Sequence, residues 1–128
     1  VVSLVRPDRV IAVDALSARE AARLCRAVQV TDAGIVPGSG VGNARSALTE
    51  ETLGVPVVAV GVPTVVDART LCADLSGAEI DLPEDTELFV TPRDIDSRVR
   101  DSARLVGYAI DLALHDALTI EDIDMFLA

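Results

Sequence analysis

The chain has 128 residues, half of them hydrophobic, which suffices for one domain with a real core. Twenty-one acidic residues stand against eleven arginines and no lysine, giving a formal charge of -10, and only Phe89, Tyr108 and Phe126 are aromatic. With neither a basic face nor stacking rings, nucleic acid is excluded as an expected partner; no run reaches the ~18 apolar residues of a membrane span, and none reads as a secretion signal.

In chain order, Val10 to Val13 reads as a buried, central strand of a parallel sheet, with Asp14 at its carboxyl edge. Ser17 to Ala27 then carries apolar residues at helical spacing, with Ser17 as N-cap and Glu20 completing a capping box. "VQVT" is a second strand, and "DAGIVPGSGVGNAR" is a glycine-rich loop. Thr49 starts a short helix that Gly54 ends, and "VPVVAVGVP" is another buried strand. "PTVVDARTLCADL" is predicted helical from Pro63 or Thr64, and "ELFVT" is a last short strand. Thr91 and Pro92 predict the start of a long helix to about His115, with Ile95, Val99, Ala103, Val106, Ile110 and Leu114 in one stripe, and "TIEDIDMFLA" closes the chain as a small amphipathic helix. Strands alternating with helices predict an α/β sandwich with a mainly parallel sheet.

Asp14, Asp32 and Asp67 share one local pattern, an aspartate followed by alanine. Asp14 follows a buried strand, where α/β proteins collect their working groups, and a half-desolvated carboxylate there can exchange a proton with water or a substrate amide. Capping of the next helix is the structural alternative for Asp14, as dipole complementation is for Asp67 and turn formation for Asp32. "PGSGVGN" has glycines at 38, 40 and 42. That is neither a dinucleotide fingerprint nor a phosphate loop, but it lets backbone approach another chain or display amides to a peptide carbonyl. Cys25 and Cys72 show no metal-ligand spacing and are expected to be buried free thiols in a reducing, cytoplasmic compartment. His115, the only histidine, stands at the end of the long helix as a cap. No cofactor and no metal are expected.

Four blocks, "PDRVIAVDALSAR", "VQVTDAGIVPGSGVGN", "TLGVPVVAVGVPTVVDA" and "LFVTPRDID", strongly resemble consecutive segments of the spore germination protease family, in family order and over most of the chain. The resemblance implies an α/β three-layer sandwich similar to the hydrogenase-maturation proteases. It also implies an aspartic-type endopeptidase of small acid-soluble spore proteins, made as a zymogen, homo-oligomeric and located in the spore core. On this resemblance, residues 1–128 form a single germination-protease-like domain, the C-terminal part of a longer pattern. Asp14 of "AVDAL" matches one of the two aspartates assigned to catalysis; the other belongs to a segment upstream of where this chain starts. The stretch between "DARTLCADL" and "ELFVTPRDID" is also shorter than the family pattern. The expectation is that Asp14 activates water, that a shortened relative recruits Asp67 or else Asp32 as second acid, and that Asp32, Gly38, Ser39, Gly40 and Asn43 line the substrate groove. The rival class is a non-catalytic or truncated relative that serves as a binding or assembly module.

Overall fold

A computed structural model describes residues 1–43, 45–78, 81, 83 and 87–127, apart from the side chain of Leu127. Ala128, the end of the expected last helix, lies outside the described residues. The chain divides into two compact units, Val1–Arg93 and Asp94–Ala128.

The first unit is built on β3, Val57–Asp67. Its residues are mostly β-branched, a composition that suits a pleated surface, and its hydrogen bonds are taken up on both edges. On one edge β1, Val10–Ala18, runs parallel from Val10↔Val57 to Ala18↔Val66. The other edge is shared by two antiparallel strands, β2 (Gln29–Thr31) beside Ala59–Gly61 and β4 (Phe89–Val90) beside Val66–Asp67. Flanked in this way, β3 supplies most of the core: Val57, Ala59, Val60, Val62, Pro63 and Val66 are buried. A single helical turn, α1 (Val2–Val5), precedes β1 and is exposed throughout its apolar side chains Leu4 and Val5.

The structure corrects three expectations. Two of the three strand pairings are antiparallel, so the sheet is mixed rather than mainly parallel. Between β2 and β3 the described residues form a loop with a 3-10 turn, Ser39–Val41, and one α-helical turn, α2 (Glu50–Leu53), with no crossover helix among them of the kind that returns a strand parallel to its predecessor. Next, β1 is not central: among the described residues it pairs with β3 alone, and Ile11 and Val13 are exposed. Finally, β1 does not stop at Val13 but continues through Ala18, so Asp14 sits mid-strand opposite Gly61. The helix expected from Ser17 is replaced by a 3-10 turn, Ala21–Arg23, whose first amide donates to Asp74 Oδ2 at 2.8 Å. Ser17 and Ala18 find ladder partners in Val65 and Val66, and these long-range bonds override local helical propensity.

Pro63 explains a related difference. The register jumps from Leu16↔Pro63 to Ser17↔Val65, leaving Thr64 out of the pairing, as expected where a proline has removed a ladder donor. The Thr64 carbonyl instead accepts from Thr91 Oγ1 at 2.9 Å, so Thr91 ties strand ends together and does not cap the long helix. β3 therefore runs to Asp67, and the following helix α3 is Ala68–Ser76, later than the expected start at Pro63 or Thr64. The cap signals at α2 are realised as read: Thr49 and Thr52 form a reciprocal capping box, and Gly54 closes the turn in the left-handed region.

The second unit holds α4 (Ile95–Leu114) and α5 (Ile120–Leu127), which contact each other and bury Val106 and Ile123. α4 begins at Asp94, whose carboxylate pairs with Arg98 at 2.8 Å, and ends at His115, whose N–H donates to the Asp111 carbonyl. Of the predicted stripe only Val106 is buried; Ile95 and Ile110 are half-buried, and Val99, Ala103 and Leu114 are exposed. Across the helix pair, the Tyr108 hydroxyl donates to Asp124, and Arg104 lies over the Tyr108 ring and 3.6 Å from the same carboxylate. Thr119 and Asp122 cap α5 reciprocally.

Candidate functional site

The site starts from a row of residues across three strands. Asp14 on β1 is opposite Gly61 on β3, and Gly61 is opposite Gln29 on β2. Directly paired residues present their side chains to the same face, so Asp14 and Gln29 rise on either side of a position with no side chain. Leu16, two residues along β1, occupies that space: a Cβ on Gly61 would come 2.3 Å from Leu16 Cδ1. Asp14 is half-buried, Gln29 is exposed, and the leucine forms an apolar floor between them.

The glycine-rich loop closes over this row. After β2, Thr31 Oγ1 accepts from the Ala33 amide, and the chain pairs Ile35 with Leu48 through bonds of 3.0 and 2.8 Å. The Gly38 carbonyl then accepts from both Val41 and Asn43, drawing Ser39–Val41 into one 3-10 turn. That turn lies against β1 at Gly40, where a Cβ would meet Ser17 Cβ at 2.9 Å; glycine is what lets the two backbones approach. The result is a cleft of about 190 Å³, walled by Asp14, Leu16, Ser17 and Gln29 on the sheet side and by Gly38, Ser39 and Gly40 on the loop side. A second recess of about 260 Å³ shares Ser17 and Gln29 with it and is lined also by Arg19, Glu20 and Arg23. Arg23 and Glu20 pair there at 3.5 Å with both side chains exposed.

Of the site residues expected from sequence, the cleft brings together Asp14, Gly38, Ser39 and Gly40. Asp32 is exposed in the turn after β2, and Asn43 is exposed with its backbone amide spent on closing the loop. Neither lines the cleft. Asp67 is the N-cap of α3, accepting from the amides of Arg69 and Thr70 at 2.8 and 3.3 Å. It lies six positions along β3 from Gly61, the partner of Asp14, roughly 20 Å of extended chain, so the two carboxylates do not share a proton. Gln29, Leu16 and Ser17 were missed, because their membership depends on which residues of distant strands pair. Among the described residues no three His, Cys, Asp or Glu side chains come together as a metal would need.

The fold and cleft define an α/β protein with, among the described residues, one carboxylate in an open groove between a sheet and a glycine-rich loop. The germination protease family model matches residues 1–77, from α1 to the end of α3. A germination protease of Clostridium tetani is 36% identical over 155 residues, covering 96% of this chain and 48% of that protein. One from Caldanaerobacter subterraneus subsp. tengcongensis is 37% identical over 159 residues, covering 99% and 49%. One from Bacillus pumilus is 59% identical over 69 residues, covering 54% and 19%. The chain belongs to the germination protease family and spans about half the length of the first two relatives. These two alignments, at 155 and 159 residues, are longer than the chain's own 128, so the relatives carry internal residues that this chain lacks.

Proposed function

We propose that this chain is part of an aspartic-type endopeptidase that hydrolyses small acid-soluble spore proteins during germination, with Asp14 as the carboxylate that takes a proton from the attacking water. The observation that carries the reading is the position of Asp14: half-buried, beside an apolar floor, in a groove whose other wall is exposed loop backbone, in a member of the germination protease family. A carboxylate so placed can act as general base while loop peptide groups hydrogen-bond an extended substrate. Peptide hydrolysis also needs a proton for the leaving amine. Asp67 and Asp32 both lie away from the groove, so the proposal assigns that proton to a group outside the described residues. On the family resemblance the proposal extends to a fold similar to the hydrogenase-maturation proteases, a zymogen precursor, a homo-oligomer and a spore-core location.

Incubation with a purified small acid-soluble spore protein, read by gel and mass spectrometry, tests the reading. Cleavage by the full-length protein that disappears in Asp14→Asn and persists with chelator supports it; cleavage that survives Asp14→Asn removes it. A second reading, a binding module without catalysis, is favoured by the single carboxylate that lines the groove among the described residues, and binding without cleavage in the full-length protein would select it.

A further inference from the structure

Two side chains line both recesses, Ser17 on β1 and Gln29 on β2. Gln29 is exposed, and its carboxamide makes no hydrogen bond within the described residues. It stands two strands from Asp14 in the same row, about 10 Å between backbones, with Leu16 as the floor between them. A primary amide is both donor and acceptor, the complement of a peptide group, and it carries no charge that would favour particular substrate side chains.

We propose that Gln29 is a substrate-positioning residue that hydrogen-bonds the main chain of an extended peptide, holding it across Leu16 so that one peptide bond faces Asp14. The proposal rests on the peptidase reading for the chemistry at Asp14 and adds to it the ligand of the opposite wall: polypeptide backbone, recognised independently of sequence. The short strand β2 fixes the backbone position of Gln29 through its pairing with Gly61, so the side chain leaves the sheet from a set point in the row. The adjoining recess beyond Gln29 then takes the next residues of the same peptide.

Titration calorimetry on the full-length protein, with Asp14→Asn present to prevent turnover, measures the effect on a purified small acid-soluble spore protein. Gln29→Ala and Gln29→Met are each expected to weaken binding by about tenfold, the size of one or two lost hydrogen bonds, with unchanged circular dichroism and melting. Methionine keeps the length and bulk of glutamine, so equal loss in the two variants ties the effect to the amide. In protein with Asp14 intact, KM should rise in both variants by more than kcat falls. Unchanged affinity in Gln29→Met, or a loss that follows a lowered melting temperature, overturns the assignment. Weakened binding by the Gln29 variants alongside cleavage that ignores Asp14→Asn would leave Gln29 standing and remove the hydrolytic role of Asp14.

Discussion

Strands β1 and β3 open with nearly the same letters, Val-Ile-Ala-Val and Val-Val-Ala-Val, and lie side by side, yet they meet different environments. In β3, Val57 and Ala59 are each 2% exposed and Val60 8%; in the opening of β1, Ile11 is 36% and Val13 57% exposed beside Ala12 at 8%, and β1 is covered again only at its end, at Ala18. Partners on both edges of β3 account for the contrast, since β1 has a partner on one edge alone among the described residues. The difference teaches that buried apolar packing and cleft-lining polar side chains are divided between neighbouring strands. β3 has no polar side chain on its first seven residues, whereas β1 holds Asp14 and Ser17 beside the loop. A half-covered strand tolerates a carboxylate without leaving it buried and unpaired.

Substitutions can break this comparison. A charge at Val66, which is 0% exposed, should destabilise by about 3–5 kcal/mol, whereas Val13→Asp should change stability by less than ~1 kcal/mol. Chemical denaturation of the two variants gives the test, and similar losses would show that β1 is as covered as β3. Gly61→Ala puts a methyl against Leu16 at the seam of the two strands and should cost about 1–3 kcal/mol, while also disturbing the cleft floor. Asp67→Ala, at the end of β3, should cost about 1 kcal/mol through loss of the α3 cap. A much larger loss there would mean that the carboxylate does more than cap.

The smallest effect is a pH dependence away from the sheet. Hydrogen bonds from the Thr119 hydroxyl and amide hold the Asp122 carboxyl below its ordinary range, as the bond from Arg98 does for Asp94. Because these values are lowered in the folded state, their contribution is fully present above the ordinary carboxylate range and is lost as pH falls through the lowered values. Acidification from about pH 5 to about pH 2 should therefore reduce helical ellipticity slightly more in the parent than in Asp122→Asn. Equal acid sensitivity in both would remove the cap's role.

Much of this division could be read from residues close in sequence. The run Val57 to Val62 announced a buried strand, Thr49 and Gly54 bracketed α2, and the spaced glycines marked the loop that reaches the cleft. What failed depended on distant partners. Ser17 and Glu20 carry a genuine helix-start signal, but Val65 and Val66 offered a ladder, and the ladder won. The local letters of Asp67 favoured a role at the helix start, and the structure has it cap α3; its recruitment as second acid came from the family resemblance, and the length of β3 separates it from Asp14. Gln29 became part of the site through a register with Gly61 that no local pattern encodes.

The central claim is that Asp14 serves chemistry and not stability. It is tested most directly by comparing cleavage of a small acid-soluble spore protein and the denaturation midpoint in full-length Asp14→Asn and its parent. The expected result is loss of cleavage with stability within about 0.5 kcal/mol, because the amide keeps the shape of the carboxylate but cannot take a proton from water. Retained cleavage, or loss of cleavage that merely accompanies unfolding, would contradict it.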